Sequence, residues 1–288
     1  VKNYNVIIVP DLSNRIDSKI HPKPLHDTVL INSIFDSINY FLKIGNRKTN
    51  QLDQYKVDFI NRSVLNSNIV DASNLKIDFE QFKNKQLNAS EYKRNKLLTD
   101  VKTVKSNVSK IYQYSLNNPV GADLWNYFNA TIHNSYSYIK PEYIKSQDGY
   151  DIKRETKNIV VLFTDGYIEN ANQANGYNLT PKQIDKIRND YKKSQNTDLR
   201  SFISSHKEYH IKKTDESLKD LNILVVEMVD RSLNKNSVAK YHPTDFQIMR
   251  IIWELWLKES GSENVEIYQA FSNKKEMIIT LEKFMSKL

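Results

Sequence analysis

Apolar positions in this chain fall into two rhythms. Three runs are almost continuously apolar and rich in β-branched residues: Tyr4 to Val9, Asn158 to Phe163 and Leu221 to Met228. Such runs predict strands buried on both faces of a sheet. Other stretches repeat every three or four residues and predict helices. Leu30, Ile31, Ile34, Phe35, Ile38, Phe41 and Leu42 mark a helix from Asp27 to about Lys43, with Asp27 at its start and Gly45 just past its end. Leu97, Val101, Val104, Val108 and Ile111 mark a second, opened by Asn88 with Glu91 and closed before Pro119. Asp123 stands at the first turn of a short helical segment, Leu124 to Ile132. Thr180, Pro181 and Gln183 begin a helix carrying Ile184 and Ile187. Thr244 with Gln247 begins another, whose stripe of Phe246, Met249, Ile252, Trp253 and Trp256 reads as core. Val265 to Ala270 is a last strand, and Asn273 to Leu288 a last helix.

Less regular stretches separate these elements. Tyr55 to Ile60 and Ile69 to Phe82 alternate apolar and polar positions, as edge or half-buried strands do. Tyr136 to Asp151 and the Asn-rich stretch Glu169 to Leu179 read as loops, and Lys192 to Lys219 as an irregular charged segment. Strand, helix, strand, helix from Asn158 onward predicts a doubly wound α/β fold: a mostly parallel sheet with helices on both faces. The expected organisation is one domain over residues 1–288, with insertions around 45–90 and 190–220.

Composition trims the functional classes. There are no cysteines, so disulfides, iron–sulfur clusters and thiolate zinc sites are excluded. No apolar run approaches the length of a membrane-spanning helix. The chain starts with Val1, so a preceding segment is expected, and a cytoplasmic and an exported location both stay open. The formal charge of +8 permits weak attraction to nucleic acid. Gln81 to Ser115 carries eight Lys or Arg against two acids, with tyrosines interleaved. The simplest reading of that segment is the solvated face of an amphipathic helix. His206 and His210 lack the intervening glutamate of a zinc-protease helix and are expected at the surface. Glu227 is out of place in an apolar strand, and a polar partner such as Lys or Arg, or a supporting role at a site, is expected for it.

The candidate chemistry lies where two buried strands end. Pro10 stops the first, and Asp11, Ser13, Asn14 and Arg15 follow; the second ends in Thr164, Asp165 and Gly166. In an open α/β sheet the carboxyl ends of the strands are where ligands bind. Carboxylates and hydroxyls are hard oxygen donors suited to Mg²⁺ or Mn²⁺, and less well to Ca²⁺ here.

This pattern resembles the von Willebrand factor A-type domain with its metal-ion-dependent adhesion site. In that family the first strand ends in Asp-x-Ser-x-Ser, a second loop supplies Thr, and Asp in a Thr-Asp-Gly context ends the central strand. Asp11 and Ser13 match the first element, with Arg15 in place of the second Ser. Asp165 matches the third element, and Asp123 falls where the family has Thr. The resemblance implies a three-layer, Rossmann-like α/β fold and a divalent-cation site of Asp11, Ser13, Asp123 and Asp165. It also implies a protein partner that supplies a carboxylate to the metal. Asn14, Thr164 and Gly166 would support the site. Arg15 would compete with metal by pairing with Asp11, Asp165 or Asp123. Two other classes stay open: a Mg²⁺-dependent phosphatase or nuclease using Asp11, Asp123 and Asp165, and a non-specific nucleic-acid binder. No general base or nucleophile accompanies the carboxylates, so an interaction module rather than an enzyme is expected.

Overall fold

The computed structural model describes residues 2–49, 51–61, 63–119, 121–140, 142–145, 151–169 and 178–288. The chain builds one mixed sheet in the order β3-β2-β1-β5-β6-β7. Its strands are β1 (Lys2–Pro10), β2 (Gln54–Val57), β3 (Lys76–Asp78), β4 (Glu142–Lys145), β5 (Asp151–Phe163), β6 (Leu221–Met228) and β7 (Val265–Gln269). β1 runs parallel to both β2 and β5, and β5, β6 and β7 continue in parallel. β3 closes one edge antiparallel to β2, and β4 pairs antiparallel with the first part of β5.

The side chains of each central strand alternate between two cores. Val6, Ile8, Ile159 and Val161 face the helices Asp27–Asp36, Leu97–Asn117 and Lys274–Lys287. Ile7, Val9, Val160 and Leu162 face the opposite core, which holds the helices Pro181–Ser194 and Asp245–Glu259. A strand covered on both sides has no polar face to offer, which is why these runs are continuously apolar. Trp253 and Trp256 are fully buried in the second core, as their stripe predicts.

Helix boundaries follow local chemistry. The Thr244–Gln247 capping box forms in full, and Thr180 caps the helix that begins at Pro181. Other boundaries depart from the periodic reading. The stripe from Asp27 to Lys43 is divided at Ser37 into Asp27–Asp36 and Ile38–Phe41. Asn88 caps nothing, because its helix starts earlier, at Gln86; a second helix then begins at Leu97. Of Ile69 to Phe82 only Lys76–Asp78 is strand, flanked by short 3-10 turns. His210 is not a surface residue: its ring is packed in, with Nε2 2.9 Å from the Ile203 carbonyl, and His206 lies against Phe202 and Tyr209. The predicted loop Tyr136 to Asp151 contains strand β4 at Glu142–Lys145 and ends where β5 begins; its residues 141 and 146–150, and residues 170–177 of the second predicted loop, lie outside the described residues.

The path of the chain creates one special place in the sheet. From β1 the chain moves outward to β2; from β5 it moves the other way, to β6 and β7. β1 and β5 therefore flank the point where the strand order reverses. The loops leaving their carboxyl ends diverge to opposite faces and leave a crevice between them.

Candidate functional site

The β1 loop is fastened to the end of β5. The Asp11 amide donates to the Phe163 carbonyl at 2.9 Å. The Asp11 side chain then organises both loops. Its Oδ1 accepts from the Ser13 amide at 3.0 Å, turning the chain, and its Oδ2 accepts from the Thr164 hydroxyl at 3.0 Å. Thr164 Oγ1 in turn accepts from the Gly166 amide at 3.3 Å. Burial pushes the Asp11 carboxyl above its usual range, and neighbouring Asp165 adds to this; Arg15 and the hydrogen bonds from Ser13 oppose it.

Gly166 turns the β5 loop in the left-handed region, at φ +88°. A Cβ there would lie 3.1 Å from both Cγ and Sδ of Met228. Its carbonyl accepts from the Trp253 indole at 2.9 Å, which leaves the turn little freedom to shift. Gly166→Ala is therefore expected to cost about 1–3 kcal/mol. Urea unfolding measures this, and an unchanged midpoint would show that the turn relaxes without strain.

Asp11, Ser13, Asn14 and Asp165 border a cleft of about 290 Å³ between the loops, together with Glu169 and Arg231. Pro119, Gly121, Ala122 and Leu124 form its other wall. Asp123 is not among the lining residues. It is exposed, and its Oδ1 accepts from the Asn126 amide at 2.9 Å, capping the short helix that follows. A carboxylate one residue before a helix start satisfies orphan amides there, and that role holds Asp123 in place.

Arg15 also departs from the expected arrangement. Its guanidinium is buried and pairs with Asp27, Nη1 to Oδ2 at 2.7 Å, rather than with the Asp11, Asp123 or Asp165 carboxylates. The contact to Asp11 is through the backbone carbonyl, at 2.9 Å. Asp27 further accepts from Lys23 at 2.6 Å and from the Tyr112 hydroxyl at 3.1 Å. Arg15 thus braces the β1 loop from behind.

The cation that does reach the cleft is Arg231, which sequence reasoning missed. Its Nη2 donates to Asp165 Oδ2 at 2.8 Å, and its guanidinium lies 4.0 Å from the centre of the Tyr167 ring. The Tyr167 hydroxyl donates to Asp245 at 2.5 Å, and Asp245 is paired with the buried Arg188. Burial, followed by that bond to Asp245, pushes the Tyr167 hydroxyl up. A signal for Arg231 does exist in the sequence. It lies three residues beyond Met228, the end of β6, and parallel strands deliver all their end loops to one edge.

The donors bordering the cleft are the carboxylates of Asp11, Asp165 and Glu169, the Ser13 hydroxyl and the Asn14 amide. Among the described residues no group of three or more His, Asp or Glu is gathered tightly enough to hold a metal ion. Oxygen donors of this kind are those of small hard cations, which keep several waters and use one or two carboxylates. Each carboxylate oxygen already in a hydrogen bond retains a second acceptor direction. No protein-family model matches the chain, and no curated protein is significantly similar to it.

Proposed function

We propose that the chain is a protein-interaction module whose cleft between β1 and β5 takes Mg²⁺ or Mn²⁺. Asp165, Asp11 and Ser13 would hold the ion, and a carboxylate from a protein partner would complete its coordination. The observation that carries this reading is the convergence of Asp11, Ser13 and Asp165 on one cleft at the reversal point of the sheet. The family resemblance in the two strand-end motifs supports it. Asp123 serves as a cap, so the phosphatase and nuclease readings lose one of the three residues they rest on.

Arg231 is the competitor in this reading. A guanidinium on Asp165 Oδ2 neutralises the same charge that a divalent ion would. Removing it leaves Asp165 and Asp11 facing one cleft with less positive charge to offset them. Titration calorimetry with Mg²⁺ and Mn²⁺ is expected to show weak binding to the native chain. Arg231→Ala should tighten it about tenfold, equivalent to ~1.4 kcal/mol. Asp165→Ala should abolish it. No heat from either the native chain or Arg231→Ala would remove the metal from the reading. Turnover of phosphomonoesters or phosphodiesters that disappears in Asp165→Asn would return the enzyme class to first place.

A further inference from the structure

A second concavity lies at the opposite edge of the sheet, where β1 and β2 begin. It has a volume of about 950 Å³, within the range of small-molecule pockets. Lys43, Lys48 and Lys93 line it with Arg47, and no carboxylate is among the lining residues. Its polar lining is completed by amide side chains, including Gln51.

The four cations differ in what they can still do. Arg47 is spent as a donor. Its Nη atoms hold both oxygens of Asp53 at 2.6 and 2.8 Å, and its remaining N–H groups go to the carbonyls of Lys2, Phe41 and Ile44. It is a fixed charge in the wall, locked by a carboxylate that is itself fully buried. Lys93 is held by Gln51 Oε1 at 3.0 Å and lies over the Phe79 ring. Burial pulls its ammonium below the usual lysine range, and Arg47 pulls in the same direction, against Asp53. Lys43 and Lys48 are exposed and form no ion pair with a carboxylate among the described residues. Asp53 offsets one of four positive charges, and the surplus has nothing in the wall to meet it. Like charges held together in a concave surface raise the local concentration of anions.

We propose that this pocket binds a small polyphosphate anion, free or as part of a nucleotide, through the ammonium groups of Lys43, Lys48 and Lys93. Oxyanions with several charges fit the surplus. Point-charge ammonium donors around a fixed guanidinium accept phosphate without demanding one geometry. The concave shape favours a compact ligand over a long nucleic-acid backbone, which needs an extended positive track. The proposal is independent of the cation site, which lies at the other end of the strands.

The test uses the full chain in metal-free buffer. Tripolyphosphate is titrated by calorimetry into the native protein, into Lys43→Glu/Lys48→Glu, and into the control Lys213→Glu/Lys235→Glu. The control changes the net charge equally at exposed sites elsewhere. Binding should weaken at least tenfold in the first variant and less than threefold in the control, with both variants melting within a few degrees of the native chain. Lys93→Gln should weaken binding as well, which keeps the proposal testable if the double variant fails to fold. ATP in a parallel arm distinguishes a nucleotide from the bare anion: tighter binding than tripolyphosphate would assign the base a place in the pocket. Equal losses in variant and control would show diffuse charge attraction and overturn the proposal. So would the absence of any binding, or a single-stranded oligonucleotide that binds while tripolyphosphate does not.

Discussion

Replacing Asp27 with Ala is expected to cost about 3–5 kcal/mol of folding stability, the range found when one partner of a buried ion pair is removed. Asp27 is enclosed, and it is the shared acceptor of Arg15, Lys23 and the Tyr112 hydroxyl. Its loss leaves the buried Arg15 guanidinium without its paired carboxylate, and Arg15 already has an Nε that meets no acceptor among the described residues. Chemical denaturation of the two proteins at neutral pH measures the difference. A loss under 1 kcal/mol would mean that water reaches Arg15 and that the network is not structural. The same network predicts acid sensitivity. Burial works against the Asp27 carboxylate, but Arg15 and Lys23 outweigh it and hold its carboxyl well below the usual range. A depressed carboxyl contributes stability above its unfolded value, near 4, and that contribution drains away as the pH falls below it.

The second large effect has the opposite sign and comes from Glu227. It is fully buried and sits at φ +70° beside the register shift of β6 against β7. Oε1 accepts from the Phe271 amide at 2.9 Å, while Oε2 has no hydrogen-bond partner among the described residues. Burial, with Asp27 nearby, raises its carboxyl to about 7, against the Phe271 amide and the more distant Lys23 and Arg15. A raised carboxyl costs nothing while both states are protonated, below about pH 4. The penalty grows as the pH climbs toward 7 and is constant above, reaching on the order of 3 kcal/mol. The native chain should therefore lose stability between about pH 4 and about pH 7. Glu227→Gln, which keeps an acceptor for Phe271 and carries no charge, should flatten that slope. Parallel slopes for the two proteins would rule out Glu227 as its source.

The parts of this molecule that could be read from sequence are those governed by neighbours along the chain. Leu221 to Met228 is a strand with the predicted ends, because a continuous apolar run can be satisfied only between two helical layers. Thr244 and Gln247 meet across a single turn, so their capping box was visible as a spacing. The strand-end aspartates were legible for the same reason: Asp11 and Asp165 each follow a buried run directly. What escaped was pairing at a distance. Arg15 stands four residues from Asp11 and so reads from sequence as part of the cleft, yet its partner Asp27 arrives from a helix on one face of the sheet. The pairing of Arg231 with Asp165 is silent in the sequence because only the order β1-β5-β6 brings the two together. Glu227 found a backbone amide instead of the expected cation, since the shift of register next to it redirects its side chain. Asp123 shows the limit of residue type alone: a carboxylate before a helix reads equally as cap and as ligand until its amide partner is seen.

The arrangement of β1 also dictates an order of assembly. Among the seven strands of the sheet β1 comes earliest in the chain, and it stands at the centre of the sheet with β5 beside it. Asp11 and Thr164 are separated by 153 residues. Until β5 leaves the ribosome, a continuously apolar strand has one open edge, and its loop has no Thr164 to grip. Contacts of such long range close slowly, because a large loop must be ordered before they repay it. The cleft is completed later still, when Arg231 follows β6 into place. Nascent chains truncated between β2 and β5 should accordingly hold an exposed β1 edge, open to chaperones and to pairing with other chains, and the cleft should mature only after β6 is in place.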